Sequence, residues 1–287
     1  MMYKMLAINV DGTLLKSNGK LPKDTKDAIQ YVLDKDVYVT LVTSRNFSSA
    51  KKIAKALKLD SYIITHSGSF IAKDIDEPLF ERRISEEQTF NLVQVLENYH
   101  CSIRLVHERY SIGNRLKQKG NLIAKAILNS NDPLFYPSQF VDSLSDQLVD
   151  FPMAAPKIEV YFASSDKMTE VKDIINKSFP DVNVVVTDEK VFEILPNLVS
   201  KERAIKQLGE HIGIAMEETV VIADSISDIP MLKQAGLGVA MWNSPFEVKQ
   251  AADWVTRSNN ENGVSFMIRE HFRKQQRIKF LRELTKK

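Results

Sequence analysis

The chain is predicted to be an α/β protein with a doubly wound parallel sheet and a second α+β domain inserted into it. Three observations predict this. Apolar runs alternate with helical patterns over the first eighty residues, the same alternation returns near residue 200, and the stretch between them has strands of alternating polarity. The predicted boundaries are 1–83 and 197–287 for the core domain and 84–196 for the inserted domain.

The run MLAINV (5–10) reads as the first strand. PKDTKDAIQYVLDKD (22–36) reads as a helix, with Pro22 in its first turn and Ala28, Ile29, Val32 and Leu33 on one side. VYVTLVT (37–43) is a second strand, SSAKKIAKALKL (48–59) a second helix and YIIT (62–65) a third strand. Strand-helix-strand order of this kind implies parallel pairing through right-handed crossovers. In the insert, Ser85-x-x-Gln88 opens a helix as a capping box, and CSIRLVH (101–107) is followed by a long polar region read as helical. PKIEVYFA (156–163), VNVVVT (182–187) and VFEILP (191–196) predict a half-buried, mostly antiparallel sheet. The core resumes with the helix KERAIKQLGEHI (201–212), the strand TVVIAD (219–224), the short helix DIPMLKQA (228–235), the strand LGVAM (237–241) and an edge strand DWVT (253–256).

At 287 residues and 44% hydrophobic, the chain is long enough to bury a substantial core. A formal charge of +2, with no basic cluster interleaved with aromatics, argues against nucleic acid as a partner. One cysteine, Cys101, excludes an internal disulfide and is read as a packed small hydrophobe. No apolar stretch has the length of a membrane span, and the first residues lack the features of a signal peptide, so a cytoplasmic location is expected. The segment 269–287 carries eight Lys/Arg against two Glu. Phe272, Phe280, Leu281 and Leu284 would give it an apolar stripe, so it reads as a helix on the core or one that contacts an anionic surface.

Ligands of parallel sheets bind beyond the carboxyl ends of the strands. The residues that follow the core strands are Asn9, Asp11 and Thr13; Thr43, Ser44 and Arg45; Ser67 and Gly68, with His66 beside them; and Asp224, Ser225, Ser227 and Asp228. Lys201 opens the helix after the insert. Taken singly, Asp-Gly-Thr is a common turn, Asp and Ser are ordinary helix caps, and Lys201 is an ordinary solvated lysine. Together, carboxylates, hydroxyls and a lysine at successive strand ends make a site for a hard divalent cation and a phosphate-like anion.

These residues stand in NVDGTLL (9–15), VTSRN (42–46), VSKERAI (199–205) and IADSISDIPML (222–232), supported by FEILP, VAMWNSPFEVKQAADWVT and NENGV. Over residues 1–268 the set resembles the haloacid dehalogenase superfamily, specifically its Cof-type phosphatases with an α/β (type IIB) cap. The resemblance implies a Rossmann-like core, an α+β cap, and Mg²⁺-dependent hydrolysis of a small phosphorylated metabolite through an aspartyl-phosphate. By position, Asn9 stands where the family has its nucleophilic Asp, and Asp11 is the general acid and base. The implied Mg²⁺ site comprises Asn9, the Asp11 main-chain carbonyl, Asp224, Ser225 and, close behind, Asp228. The implied phosphate site comprises the Val10 main chain, Thr43, Ser44, Lys201 and Ser227.

Asn9 supplies neither the charge nor the nucleophile of an aspartate. Losing a covalent nucleophile from a cooperating set costs on the order of 10⁶ in rate. The chain also has Ser44, Ala223, Ser227 and Ser67 where the family usually has Gly, Gly, Asn and Asn. That several positions depart favours natural weakening of catalysis over a single substitution introduced to trap a ligand. Two functions follow as expectations: an impaired phosphatase, or a catalytically silent protein that binds a phosphorylated ligand. In the cap, Arg109, Arg115, Lys117 and Lys119 either contact an anionic substrate or form a solvated face.

Overall fold

The computed structural model describes residues 2–115, 136–275 and 277–278. The first apolar run forms β1 (Met5–Asn9), buried along its whole length, and breaks into a tight turn over Val10–Leu14. After the helix Lys23–Leu33 come β2 (Tyr38–Val42), the helix Phe47–Ala56 and β3 (Ile63–Thr65). Pro22 is the cap of its helix rather than part of the first turn, since its extended backbone precedes the first helical residue. A hairpin absent from the sequence expectations, β4 (Phe70–Ala72) and β5 (Pro78–Glu81), adds two antiparallel strands to one edge of the sheet.

The chain then enters a second sheet. It contains the helix Glu86–Glu97, β6 (Cys101–Val106), β7 (Ser111–Asn114), β8 (Ser138–Val141), the helix Leu144–Asp150, β9 (Lys157–Phe162), the helix Ser165–Ser178, β10 (Val182–Asp188) and β11 (Val191–Pro196). Ser85 accepts from the Gln88 amide at 3.2 Å, so the first of these helices starts where the capping motif places it. The long polar helical region expected after β6 falls mainly outside the described residues. Within it, residues 111–114 pair antiparallel with β6 and 138–141 pair parallel with β7. Residues 116–135, including Lys117 and Lys119, lie outside the described residues.

Back in the first sheet are the helix Lys201–Ile212, β12 (Thr219–Ala223), the helix Ile229–Gln234, β13 (Leu237–Ala240), the helix Phe246–Ala251, β14 (Trp254–Val255) and the helix Gly263–Phe272. The eight strands run in the order β14-β13-β12-β1-β2-β3-β4-β5, with β14 through β3 parallel. The six run β10-β11-β9-β6-β7-β8. Each sheet has its own apolar cluster: Leu6, Ile8, Leu41 and Ile222 are fully buried in one, and Leu92, Ile103, Ile158 and Phe192 in the other. This is the α/β fold expected, a parallel core with an α+β cap. Register pairs Ile8 with Ile222 and Asn9 with Val42, which brings the polar residues after β1, β2 and β12 to one end of the sheet.

At the other end, the last helix is tied to the core. Lys35 Nζ donates to the carbonyls of Phe272, Arg273 and Gln275 at 2.7, 3.0 and 2.6 Å, which serves the unpaired carbonyls of a helix end. Phe272 and Ile278 are buried, whereas Phe280, Leu281 and Leu284 lie outside the described residues. Among the described residues no helix is long and apolar enough to cross a membrane.

Candidate active site at the carboxyl ends of the parallel strands

Asn9 is the last residue of β1 and is buried beneath the turn that follows. Its Oδ1 accepts from the Val10 main-chain N–H at 2.8 Å. Its Nδ2 donates to Asp224 Oδ1 at 3.1 Å, Asp228 Oδ2 at 3.2 Å and the Asp11 carbonyl at 3.3 Å. The turn itself requires Gly12, which has φ +69° and whose missing Cβ would lie 2.0 Å from Asp224 Oδ2. Thr13 Oγ1 adds a second donor to Asp224 Oδ1, at 2.7 Å. Burial pushes the Asp224 carboxyl up to about 6, the bond from Thr13 opposes this, and the neighbouring Asp228 charge adds to it.

Asp228 is fully buried and saturated with donors. Lys201 Nζ reaches its Oδ1 at 2.7 Å, and the hydroxyl and main-chain N–H of Ser225 reach its Oδ2 at 3.0 and 3.2 Å. Burial alone would depress Lys201, but Asp228 beside it, with Glu193 and Asp224 behind, holds its ammonium above the usual range. Ser200 caps the helix by accepting from the Arg203 N–H at 3.2 Å, which sets Lys201 in the first turn facing the site. Ser227 bonds to Ser225 between hydroxyls 2.7 Å apart.

Asp11 points away from this cluster, toward Arg45. The guanidinium grips its carboxylate with two bonds, Nε to Oδ2 at 2.7 Å and Nη2 to Oδ1 at 2.5 Å. Arg45 is held in turn by Ser49 Oγ at 3.1 Å, and its main-chain N–H donates to Thr43 Oγ1 at 3.1 Å. The segment His66-Ser67-Gly68 adopts left-handed backbone at all three positions, with φ of 50°, 57° and 104°. It places Ser67 Oγ on Glu193 Oε2 of the cap sheet. His66 is buried against Phe70, and burial, with Lys157 nearby, pushes its imidazole down to about 3, so it remains neutral.

The sequence expectations do not reach the residues that face this end of the core from β9 and its neighbours. Lys157 Nζ donates to the Ser44 carbonyl at 2.8 Å and pairs with Glu193 at 2.8 Å and Glu159 at 2.7 Å. Tyr161 OH donates to Glu159 at 2.8 Å, and Arg104 lies 3.5 Å from the same carboxylate. Lys157, Glu159 and Tyr161 alternate in KIEVYF, and three ionisable or hydroxyl side chains on one face of a strand are the signal that was available. Arg109 and Arg115 do not join the site; they pair with Asp76 and Asp142 at the surface.

The strand-end residues thus divide into two groups. Asn9, Thr13, Asp224, Ser225, Ser227, Asp228 and Lys201 form one hydrogen-bonded cluster, and Asp11, Thr43 and Arg45 form a second beside it. Ser44 contributes its carbonyl to Lys157, and the Val10 N–H is engaged by Asn9. For a divalent cation, Asp224, Asp228 and the Asp11 carbonyl offer hard oxygen donors. What faces them from Asn9 is the donor nitrogen of the amide, not its oxygen, so the set as arranged does not fit a cation.

Comparison with known proteins agrees with the topology. The chain is 53% identical to the stress response protein YhaX of Bacillus subtilis, over 98% of this chain and 97% of that one. It is 28% identical to the 5-amino-6-(5-phospho-D-ribitylamino)uracil phosphatase YcsE of the same organism, over 93% and 94%. The fold of a sugar phosphatase of haloacid dehalogenase subclass IIB, BT4131, superposes with a TM-score of 0.76 at 22% identity, covering 94% of this chain and 98% of that one. The family of haloacid dehalogenase-like hydrolases matches residues 6–268, and this chain belongs to that family.

Proposed function

We propose that this chain binds a small phosphorylated metabolite at the carboxyl ends of β1, β2 and β12 and hydrolyses it slowly or not at all. The observation that carries the reading is Asn9. It stands at the end of β1, beside Asp224 and Lys201, where the family's chemistry needs a carboxylate nucleophile, and its amide cannot attack phosphorus. Lys201, Thr43 and Ser227 supply the donors that would hold the phosphoryl oxygens, and Asp11 with Arg45 stands next to them as the candidate proton carrier. Residues 84–196 act as the cap that reads the rest of the metabolite. The phosphatase names of relatives such as YcsE support a phosphoryl substrate. Mg²⁺ belongs to this reading only as a weakly held ion, because reaching Asn9 Oδ1 requires the amide to turn over and give up its bond from the Val10 N–H.

The test is a phosphate-ester panel assayed with the unmodified chain and with Asn9→Asp. Restoring the carboxylate is expected to raise turnover by at least about 10³-fold, on the scale by which single members of a cooperating catalytic set act. High turnover by the unmodified chain would overturn the impairment. No gain on reversal would show that Ser44, Ser67 or Ser227 also disables the chemistry.

A further inference from the structure

We propose that the Asn9 amide takes the place of the divalent cation, so that this chain assembles its phosphate pocket without metal. The inference deepens the phosphate-binding reading and rests on it for the nature of the ligand. An aspartate at position 9 would bring a third carboxylate to within hydrogen-bonding distance of the Asp224 and Asp228 oxygens that Asn9 now contacts at 3.1 and 3.2 Å, an arrangement that needs a cation between them. The amide removes that charge and sends its N–H groups to the same two carboxylates. Its orientation is fixed by its neighbours. Turned over, Oδ1 would face two carboxylate oxygens and Nδ2 would face the Val10 N–H, so every contact would become repulsive. Further donors within the chain serve the same carboxylates, Thr13 on Asp224 Oδ1 and Lys201 and Ser225 on Asp228. A cation that bridges Asp224 Oδ1 and Asp228 Oδ2 has to displace both amide bonds.

Thermal unfolding of the unmodified chain and of Asn9→Asp, each in EDTA and in millimolar Mg²⁺, tests the exchange of amide for cation directly. Mg²⁺ is expected to leave the midpoint of the unmodified chain unchanged and to raise that of Asn9→Asp by roughly 4 °C or more. Calorimetric titration with inorganic phosphate is expected to give affinities within about threefold in EDTA and in Mg²⁺ for the unmodified chain, and at least about tenfold weaker in EDTA for the variant. A midpoint of the unmodified chain that rises with Mg²⁺ as much as the variant's overturns the inference. If Asn9→Asp folds only in Mg²⁺, that supports it, and if it folds in neither condition the response of the unmodified chain alone decides. Midpoints that behave as expected while phosphate binds to neither protein would remove the phosphate-binding reading and leave the amide in the cation's role.

Discussion

Gly12 shows how closely the residue after a strand end is constrained by a partner more than two hundred positions away. Its φ of +69° and the 2.0 Å approach of its absent Cβ to Asp224 Oδ2 are two separate demands, one of backbone and one of space. Gly213 makes only the first: it ends the helix Lys201–Ile212 at φ +72°, and a Cβ there would meet nothing within 4 Å. Gly213→Ala is therefore expected to cost about 1 kcal/mol of stability, the left-handed backbone term alone. Gly12→Ala is expected to cost at least about 2 kcal/mol more, because Asp224 must move and its bonds from Asn9 and Thr13 go with it. Urea unfolding of the two variants checks the difference, and equal losses would mean that Asp224 yields without consequence. The same contact explains why Asn9 is ambiguous in sequence. NVDGTLL identifies the strand end and sets Asn9 where the resemblance implies an aspartate, but the direction of the amide depends on carboxylates at 224 and 228 that only the folded chain brings near.

The strand β9 carries the argument at the level of elements. Its even positions, Ile158, Val160 and Phe162, pack into the apolar cluster of the cap, while Lys157, buried, and Glu159 and Tyr161, half-buried, form a polar row on the other face. Burial pushes Glu159 up, but Lys157 and Arg104 overcome it and hold its carboxyl at about 2. Since the folded value lies below the unfolded one near 4.5, the stabilisation is present above about pH 4.5 and is lost as pH falls toward 2. At neutral pH it amounts to no more than about 3 kcal/mol. Glu159→Gln is expected to lower stability at pH 7, with the gap to the unmodified chain closing between about pH 5 and pH 2 in urea melts; a gap independent of pH would exclude the ion pair as its source. The alternation in KIEVYF is legible as a half-buried strand, yet nothing local tells whether its polar face meets water or another sheet. Helices such as Lys201–Ile212 are legible end to end because Ser200 and Gly213 cap them locally. β7 is not: its four residues follow a polar loop, and only pairing with β6 and β8 makes them a strand.

For the whole molecule the question is what keeps the cap against the core. Polar contacts join them, among them Lys157 to the Ser44 carbonyl at 2.8 Å, Ser69 Oγ to the Pro156 carbonyl at 2.8 Å, Ser48 Oγ to the Glu108 carbonyl at 3.3 Å, and Ser67 to Glu193. Water can serve these hydrogen-bonding groups when the cap moves away, so they alone favour the closed arrangement only weakly. Lys157 is the residue on which that balance depends, because it is 1% exposed and neutralises Glu159 and Glu193 together. Lys157→Met leaves two carboxylates buried without their shared cation, which disfavours the closed arrangement by about 3–5 kcal/mol. Opening lets both ionise in water, so the loss is expected to appear as movement of the cap rather than as global unfolding. Amide exchange should then quicken at 44–48 and 67–69 while β1 and β12 stay protected. On the proposed phosphate-binding reading, affinity for a phosphate ester should fall as the cap contribution is lost, and affinity for inorganic phosphate should be kept. Uniform quickening across β1 and β12 would instead show that Lys157 supports the fold as a unit and that the cap does not move independently of it.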